Sequence, residues 1–440
     1  MPTNVALTGL ARDLETRADN NKPIRIGVVG CGEMGTDLIT QVAHMKGIEI
    51  ACMANRTVEN VDHALDIAFG HKDAGRRVEN PAAMTAAIEA GKMAITNDTQ
   101  MMLENPLIDV VVETTGIPGV GATVGLEAIE QGKHLVMMNV EADVCIGPYL
   151  KAEADRAGVV YSLGAGDEPS SCMELIEFVS AMGHEVVCAG KGKNNPLDFD
   201  AKPHDYQKEA DARHMNVRML VEFVEGSKTM VEMCAIANAT GLEIDIAGMH
   251  GPAASVDQLS STLIPKSDGG VLSKKGCVDF SIGKGVSPGV FVVADMAHPR
   301  ITERMVDLKV GKKGPYFTFH RPYHLTSLEV PLTCARVVLY GKADMVPLAK
   351  PVAEVCAVAK KDMQPGDQLE MVGEYSHRSW ALSKTEAIAN QAWPCGLMDR
   401  AEVIAPIRKG DLITRKNAKP EAGSKIAEIR ALQDAMVEGI

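Results

Sequence analysis

KPIRIGVVGCGEMGTDLITQV (residues 22–42) sets a run of β-branched residues against four glycines within nine positions. IRIGVV (24–29) reads as a buried strand and residues 36–45 as a helix. Between them, Gly30-Cys31-Gly32-Glu33-Met34-Gly35 has the GxGxxG spacing. Only glycine lets the backbone turn this tightly and lets a pyrophosphate approach a helix N-terminus, where free N–H groups and the helix dipole face it. A second strand, IEIACMAN (48–55), follows at the distance such a fold requires. The pattern predicts a dinucleotide site built on Gly30, Gly32, Glu33, Met34 and Gly35, with a glycine turn that holds no ligand as the alternative.

Alternation continues beyond the loop. IDVVVETTG, HLVMMNV and GVVYSLGAG read as later strands, and VGATVGLEAIEQG and GPYLKAEADRAG as helices between them. Strands linked by helices predict a doubly wound parallel sheet. Residues 70–98 break this rhythm and read as an insertion. At the end of the second strand, Asn55-Arg56 stands where an acidic residue would bind ribose hydroxyls. A neutral residue followed by a guanidinium suits a 2′-phosphate, which favours NADPH; a solvated arginine is the alternative. Thr115 and Gly116 in ETTGIPG, and Asn139 in MMNVEADV, are further cofactor candidates, or plain strand-end turns.

The 440 residues suffice for about two to four domains. A hydrophobic content of 46% suits well-buried cores. The net charge of −13 argues against nucleic acid or an anionic membrane as partner. No apolar run reaches the length of a spanning helix, and the first residues lack the layout of a secretory signal. The ten cysteines are scattered singly, without metal-like spacing, and read mostly as small buried hydrophobes of a cytoplasmic protein.

After residue 165 the texture becomes α+β. HEVVCAGKGK and DFSIGKGVSPGVFVVADMA read as long strands, SKTMVEMCAIANAT as a strong helix, and TSLEVPLTCARVVLYG as a helix returning to the first domain. Lys191 and Lys193 lie two apart on a strand and so point to one face. The glycines at 190 and 192 leave room there for a ligand. Paired ammonium groups suit a phosphate or a reacting carbonyl oxygen, or mark a charged strand end. Asp167 and Glu168 close the sheet and serve in proton transfer or cap the helix that follows. Ser227 and Lys228 at a helix start, Arg213, His298, His320 and Arg321 are candidates for substrate contact; a lone histidine is equally a packing or surface residue. Finally, AVAKKDMQPGDQLE (357–370) and EVIAPIRKGDLITRKNAK (402–419) repeat one idea. Each has a β-like stretch, a basic residue, a Gly-Asp turn and another strand, which predicts a small turn-rich β module.

IRIGVVGCGEMG, VVVETTG and GKHLVMMNV resemble homoserine dehydrogenase. Across nearly everything after residue 22 the chain resembles more closely the 1-deoxy-D-xylulose 5-phosphate reductoisomerase-like proteins, through GAGDEPSSCMEL, GKGKNNPLD, GSKTMVEMCAIANATGL and FHRPYHLTSLEVP. In these a homoserine-dehydrogenase-like core is joined to a C-terminal SAF domain. The resemblance implies an N-terminal extension (1–22), a Rossmann-type NADP-binding domain (23–164), an α+β catalytic and oligomerisation domain (165–345) and a β-rich SAF-like domain (346–440). It implies NADPH-dependent conversion of 1-deoxy-D-xylulose 5-phosphate to 2-C-methyl-D-erythritol 4-phosphate in a homo-oligomer. Lys191 and Lys193 would stabilise the oxyanion, and Asp167 or Glu168 would move the proton. Arg213, Ser227, Lys228, His298, His320 and Arg321 would bind the small phosphorylated sugar. Two vicinal oxygens of that substrate would chelate a divalent ion, Mg or Mn, for which no ligand set is assigned. In homoserine dehydrogenases the strand-end Asn is followed by Lys; here Val140 and Glu141 follow Asn139, which argues against simple homoserine oxidation. The alternatives are an NADP-dependent oxidoreductase for another hydroxy or keto acid, and a non-catalytic nucleotide sensor.

Overall fold

Strand β1 (Ile24–Val29) has Ile24, Ile26 and Val28 wholly buried, as expected of a strand covered on both faces of a parallel sheet. In this computed structural model, which describes residues 6–439, it is the centre of seven parallel strands. The others are β2 (Ile48–Ala54), β3 (Gly75–Arg77), β4 (Met93–Thr96), β5 (Val110–Glu113), β6 (His134–Met137) and β7 (Tyr161–Leu163). Their order is β3-β4-β2-β1-β5-β6-β7, so the order reverses between β1 and β5. This is a Rossmann-type doubly wound sheet, and the reversal point is where such sheets bind ligands.

Residues 70–98 correct one expectation. They are no bystander insertion, because β4 is hydrogen-bonded beside β2 and β3 forms the sheet edge. β4 has only four residues, too short an apolar run to stand out between Lys92 and Asn97. The chain divides into two compact units. The first unit holds the chain up to Ala142 together with Tyr149–Asp167 and Leu325–Val346. Helix Gly9–Asp19 belongs to it, since Leu14 joins the hydrophobic core of the sheet. So does helix Val330–Tyr340, through Val330, Cys334, Ala335 and Val337.

The second unit holds Asp143–Pro148, Glu168–His324 and Pro347–Ile440. Its mixed sheet comprises β8 (Glu185–Gly192), β9 (Glu243–Ile244), β10 (Cys277–Ser281), β11 (Val290–Asp295) and β12 (Tyr316–Arg321), in the order β12-β11-β8-β10-β9. Helices Glu168–Ala181 and Ser227–Thr240 pack against it. The single long strand expected around residues 279–297 is two strands, β10 and β11. The backbone between them folds tightly over its neighbours: a Cβ on Gly283 would lie 1.8 Å from the Ala254 carbonyl oxygen.

The C-terminal part of this unit has β13 (Ala353–Ala359), β14 (His377–Ser383), β15 (Glu402–Val403) and β16 (Ala418–Lys419). The two Gly-Asp repeats bond to each other with a constant offset of 44 positions (366 to 410, 367 to 411). Gly366 and Gly410 adopt φ of +93° and +90°, which only glycine takes without strain. Asp367 accepts from the Gln364 N–H at 2.7 Å, and Asp411 from the Arg408 N–H at 3.0 Å. The exchange is reciprocal. Gly366 N–H donates to Val403 O and Gly410 N–H to Ala359 O, while Ala359 N–H donates to Asp411 O and Val403 N–H to Asp367 O. Met363 and Ile407 bond each other across the centre in both directions. Each copy thus closes the other's turn.

All ten cysteines are buried free thiols, as their apolar surroundings predict. Among the described residues no helix is long and apolar enough to cross a membrane. Ile407 is 1% exposed at the crossing of the two repeats. Ile407→Ala is therefore expected to cost about 2–5 kcal/mol in a denaturant titration, whereas Ile404→Ala, at an exposed site, should leave the midpoint nearly unchanged.

Candidate functional site

The three glycines of the GxGxxG loop have three different reasons to be glycine. Gly30 takes φ +102°, and a Cβ there would lie 2.7 Å from Thr114 Oγ1. A Cβ on Gly35 would lie 2.4 Å from the Gly30 carbonyl oxygen, so the helix starting at Glu33 could not close onto the strand. Gly32 has nothing within 4 Å of its Cβ position, and it caps that helix without a side-chain hydrogen bond. The open face is therefore a helix N-terminus with free N–H groups, the geometry that takes a pyrophosphate. Glu33 and Met34 are its first two residues.

Asn55 braces this loop: its Oδ1 accepts from the Cys31 N–H at 3.0 Å and its Nδ2 donates to Thr57 O at 2.6 Å. Arg56, next to it, is exposed, and among the described residues its guanidinium makes no hydrogen bond or ion pair. Thr115 donates its N–H to Glu113 Oε1, and Gly116 turns at φ +64°. Asn139 caps helix Val140–Ala157 by accepting from the Ala142 N–H at 3.1 Å. Glu113 is fully buried, and burial pushes its carboxyl up to about 7 against hydrogen bonds from Thr115 and Asn139. Sequence reasoning missed Glu113. Its signal was an acid ending a strand otherwise made of valine.

The second unit contains a pocket of about 160 Å³ whose walls include Lys191, Lys193, Arg213 and Lys228, together with Glu168, Asn194, Asn195 and His324. The sequence expects the glycines at 190 and 192 to leave room for a ligand; Gly192 lines the pocket, and both positions also meet neighbouring backbone closely. A Cβ on Gly190 would lie 1.6 Å from Asp279 O, and one on Gly192 2.2 Å from the Ser287 nitrogen, so both serve backbone approach.

The two lysines of β8 and its end have opposite surroundings. Lys191 Nζ donates to Glu168 Oε1 at 2.6 Å and to Glu232 Oε2. Burial alone would lower its pKa, but the two carboxylates outweigh burial and raise it, so Lys191 is a fixed cation. Lys193 Nζ donates to the carbonyls of Asn195 at 2.7 Å and Pro196 at 3.0 Å. Burial and then repulsion from Lys191 push it down to about 8, against the opposing pull of Glu232. Two carbonyl acceptors satisfy two N–H groups, so the third position carries either a proton or a lone pair. Lys193 is thus a further candidate for the proton transfer that the sequence assigns to Asp167 or Glu168. Glu168 is held by Lys191, and Asp167 ends the first unit just before helix Glu168–Ala181.

Arg213 bonds Glu209 at 3.0 Å and reaches Asn195 Oδ1 at 3.5 Å. His324 donates from Nδ1 to Pro288 O at 2.6 Å, with Nε2 3.5 Å from Glu168. Other expected substrate contacts lie elsewhere. Ser227 is buried, donates to Glu225 and accepts from the Ser379 N–H. His298 is an exposed cap on helix Pro299–Asp307. His320 faces Val286 O, and Arg321 bonds Ser171 and Glu174. None of these four lines the pocket. Glu232 went unrecognised in the sequence, although a single acid in the otherwise apolar MVEMC was a usable signal. Glu168 and Glu232 both bond the Lys191 ammonium, and Glu168 also lines the pocket.

A family model described as the NAD-binding domain of homoserine dehydrogenase matches residues 30–162, and one described as the catalytic domain of the oxidoreductase DRL matches residues 166–330. A homoserine dehydrogenase of Methylobacillus glycogenes is 30% identical over 125 residues, 28% of this chain and 27% of its own. One from Pseudomonas aeruginosa is 32% identical over 144 residues, 33% of this chain and 29% of its own. The chain thus spans less than a third of the length of these curated relatives. A probable dehydrogenase from Thermotoga maritima aligns with 73% of this chain and 90% of its own at 15% identity, with a TM-score of 0.42.

The opposite surroundings of the lysines are measurable without a substrate. Competitive acylation read by mass spectrometry should find Lys193 half-reactive near pH 8 while Lys191 stays unreactive. Lys191→Met removes the neighbouring positive charge and should move the Lys193 midpoint up by about one unit.

Proposed function

We propose that this protein is an NADP-dependent oxidoreductase acting on a small phosphorylated sugar, and that its reaction is the NADPH-dependent conversion of 1-deoxy-D-xylulose 5-phosphate to 2-C-methyl-D-erythritol 4-phosphate. The observation that carries this reading is one pocket gathering Lys191, Lys193, Arg213 and Lys228, in which one lysine is a fixed cation and its neighbour titrates near 8. The likeness of residues 166–330 to the DRL catalytic domain supports the same chemistry.

The residues present fit a dinucleotide. The Cβ position of Gly32 is open at a helix N-terminus, whose N–H groups face the space it leaves. Gly30, Gly32 and Gly35 would hold the pyrophosphate, Arg56 the 2′-phosphate, and Thr115, Gly116 and Asn139 the remainder. When bound, the nicotinamide supplies a hydride.

The chain's own residues do the rest. Arg213 and Lys228 grip the substrate phosphate by charge. Lys191, locked by two carboxylates, offers a constant positive field to the oxygen on which negative charge develops. Lys193 removes a hydroxyl proton as the carbon skeleton rearranges to a branched aldehyde. It returns that proton to the oxygen left as alkoxide by the rearrangement and, reloaded with the one proton consumed overall, protonates the alkoxide formed on reduction. Overall, one substrate, one NADPH and one proton give the polyol phosphate and NADP⁺. The C-terminal pair of repeats is read as a SAF-like module. A second reading, oxidation of another hydroxy acid, is favoured by the homoserine-dehydrogenase likeness of residues 30–162 and uses the same lysine.

Purified protein given NADPH and 1-deoxy-D-xylulose 5-phosphate should oxidise NADPH and yield the branched polyol phosphate by NMR. Tight NADPH binding without this product, but with turnover of a hydroxy acid, would replace the first reading by the second. Lys193→Met should lower turnover by about 10²–10⁴-fold with NADPH affinity unchanged. Because the rearrangement begins with Lys193 as a base, kcat/KM for 1-deoxy-D-xylulose 5-phosphate should rise as pH rises through about 8, whereas for the branched aldehyde supplied directly, whose reduction needs protonated Lys193, it should fall through the same pH. Arg56→Ala should weaken NADPH by about tenfold or more while NADH is little affected.

A further inference from the structure

The loop that holds Lys193 has no regular structure of its own. Residues 194–202 lie between β8 and helix Pro203–Ala212, and their carbonyls at Asn195 and Pro196 accept the two Lys193 hydrogen bonds. What fixes this loop comes from the C-terminal module. Lys360, wholly buried just after β13, donates to Ala201 O at 2.8 Å and to Glu225 Oε2 at 2.6 Å. Arg378 on β14 stacks its guanidinium on the Phe199 ring at 4.5 Å and on Trp380 at 4.4 Å. The two rings meet edge to face, 5.4 Å apart. The Ser379 N–H donates to Ser227 Oγ, which in turn bonds Glu225. The same module therefore holds both the 194–202 loop and the start of helix Ser227–Thr240, on which Lys228 sits.

We infer that Lys360 and Arg378 are positioning residues for Lys193: by anchoring Ala201 and Phe199 they hold the Asn195 and Pro196 carbonyls against its amine and keep water from it. This deepens the reading of Lys193 as the proton carrier and rests on that reading for its catalytic meaning. A loop with few backbone bonds would otherwise sample many conformations. The charged groups facing the amine are Lys191 and Glu168 at the head of the pocket, Glu232 and Lys228 on the helix, and Arg213 and His324 at its walls, Arg213 reaching the loop at Asn195 Oδ1.

The test reads Lys193 directly. In Arg378→Leu the freed loop admits water, and Lys193 acylation at pH 8 should fall by about fivefold or more as its midpoint moves up toward an ordinary lysine. Arg378→Lys, which keeps the cation over the ring, should restore part of the loss. Phe199→Leu removes the same stack from the loop side and decides the matter if Arg378→Leu does not fold. An acylation curve unchanged in a folded Arg378→Leu or Phe199→Leu protein overturns the inference. In the wild-type protein, the Asp198 and Ala201 amides, which donate to Val224 O and Asp198 O, should exchange as slowly as those of the β13–β14 pair. Free exchange there overturns it too. Failure of the functional reading looks different: Lys193→Met would retain turnover while the acylation shifts remain.

Discussion

A buried ammonium between one buried and one half-buried carboxylate organises the second unit. Lys191 is 6% exposed, Glu232 1%, and Glu168 closes the other side. Removing any of the three from water costs several kcal/mol, which only mutual contact offsets. The partners come from β8 and from two helices, so the sheet and both helices must be in register before the charge is satisfied. Once it is, the charge has no freedom left. Burial weakens the hold of Lys193 on its proton, and repulsion from the permanent cation two residues away along the chain adds to it. A proton that would stay on an ordinary lysine becomes exchangeable near neutral pH.

In the first unit the corresponding constraint is steric. β1 must run straight into a helix, and the Gly30 carbonyl occupies the space that a side chain at position 35 would need. Thr114, from the end of β5, closes over Gly30 by donating to Val29 O and Gly30 O at 3.0 Å. Asn55 fixes the loop from β2. The loop's shape is therefore set by the two strands flanking β1, and Gly32 is left as the open position. Glu113 and Asn139, at the ends of neighbouring strands β5 and β6, are both buried, and the Asn139 amide opposes the upward push of burial on the Glu113 carboxyl.

How much of this was legible follows from distance along the chain. The GxGxxG loop, its strand and its helix are contiguous, so short-range pattern suffices for them. The Gly-Asp repeats are legible as a repeat, but not as two copies closing each other's turns, because that pairing is a tertiary fact. β4 was hidden by its four-residue length. β10 and β11 were merged because Val286 and the glycines between them read as extended chain, while the turn is made by contact with Ala254. The lysines were visible as a pair, but their opposite fates were not, since Glu232 lies 41 positions from Lys191. Ser227 looked like an anion site at a helix start. Its hydroxyl is instead taken by Glu225 and by a backbone donor 152 positions away.

The C-terminal module bears on the same chemistry through rigidity. A loop cannot hold two carbonyls against an amine unless something stiffer holds the loop. Paired repeats that close each other's turns form such a body, because neither copy can open without breaking the other's hydrogen bonds. Lys360 follows β13 directly and Arg378 lies on β14, so both anchors stand on the paired strands rather than on a flexible tail. Burial makes the anchoring specific: Lys360 and Glu225 are both fully enclosed, and either charge alone would be expensive there. A module without a single residue in the pocket wall thereby sets how a proton is held inside it.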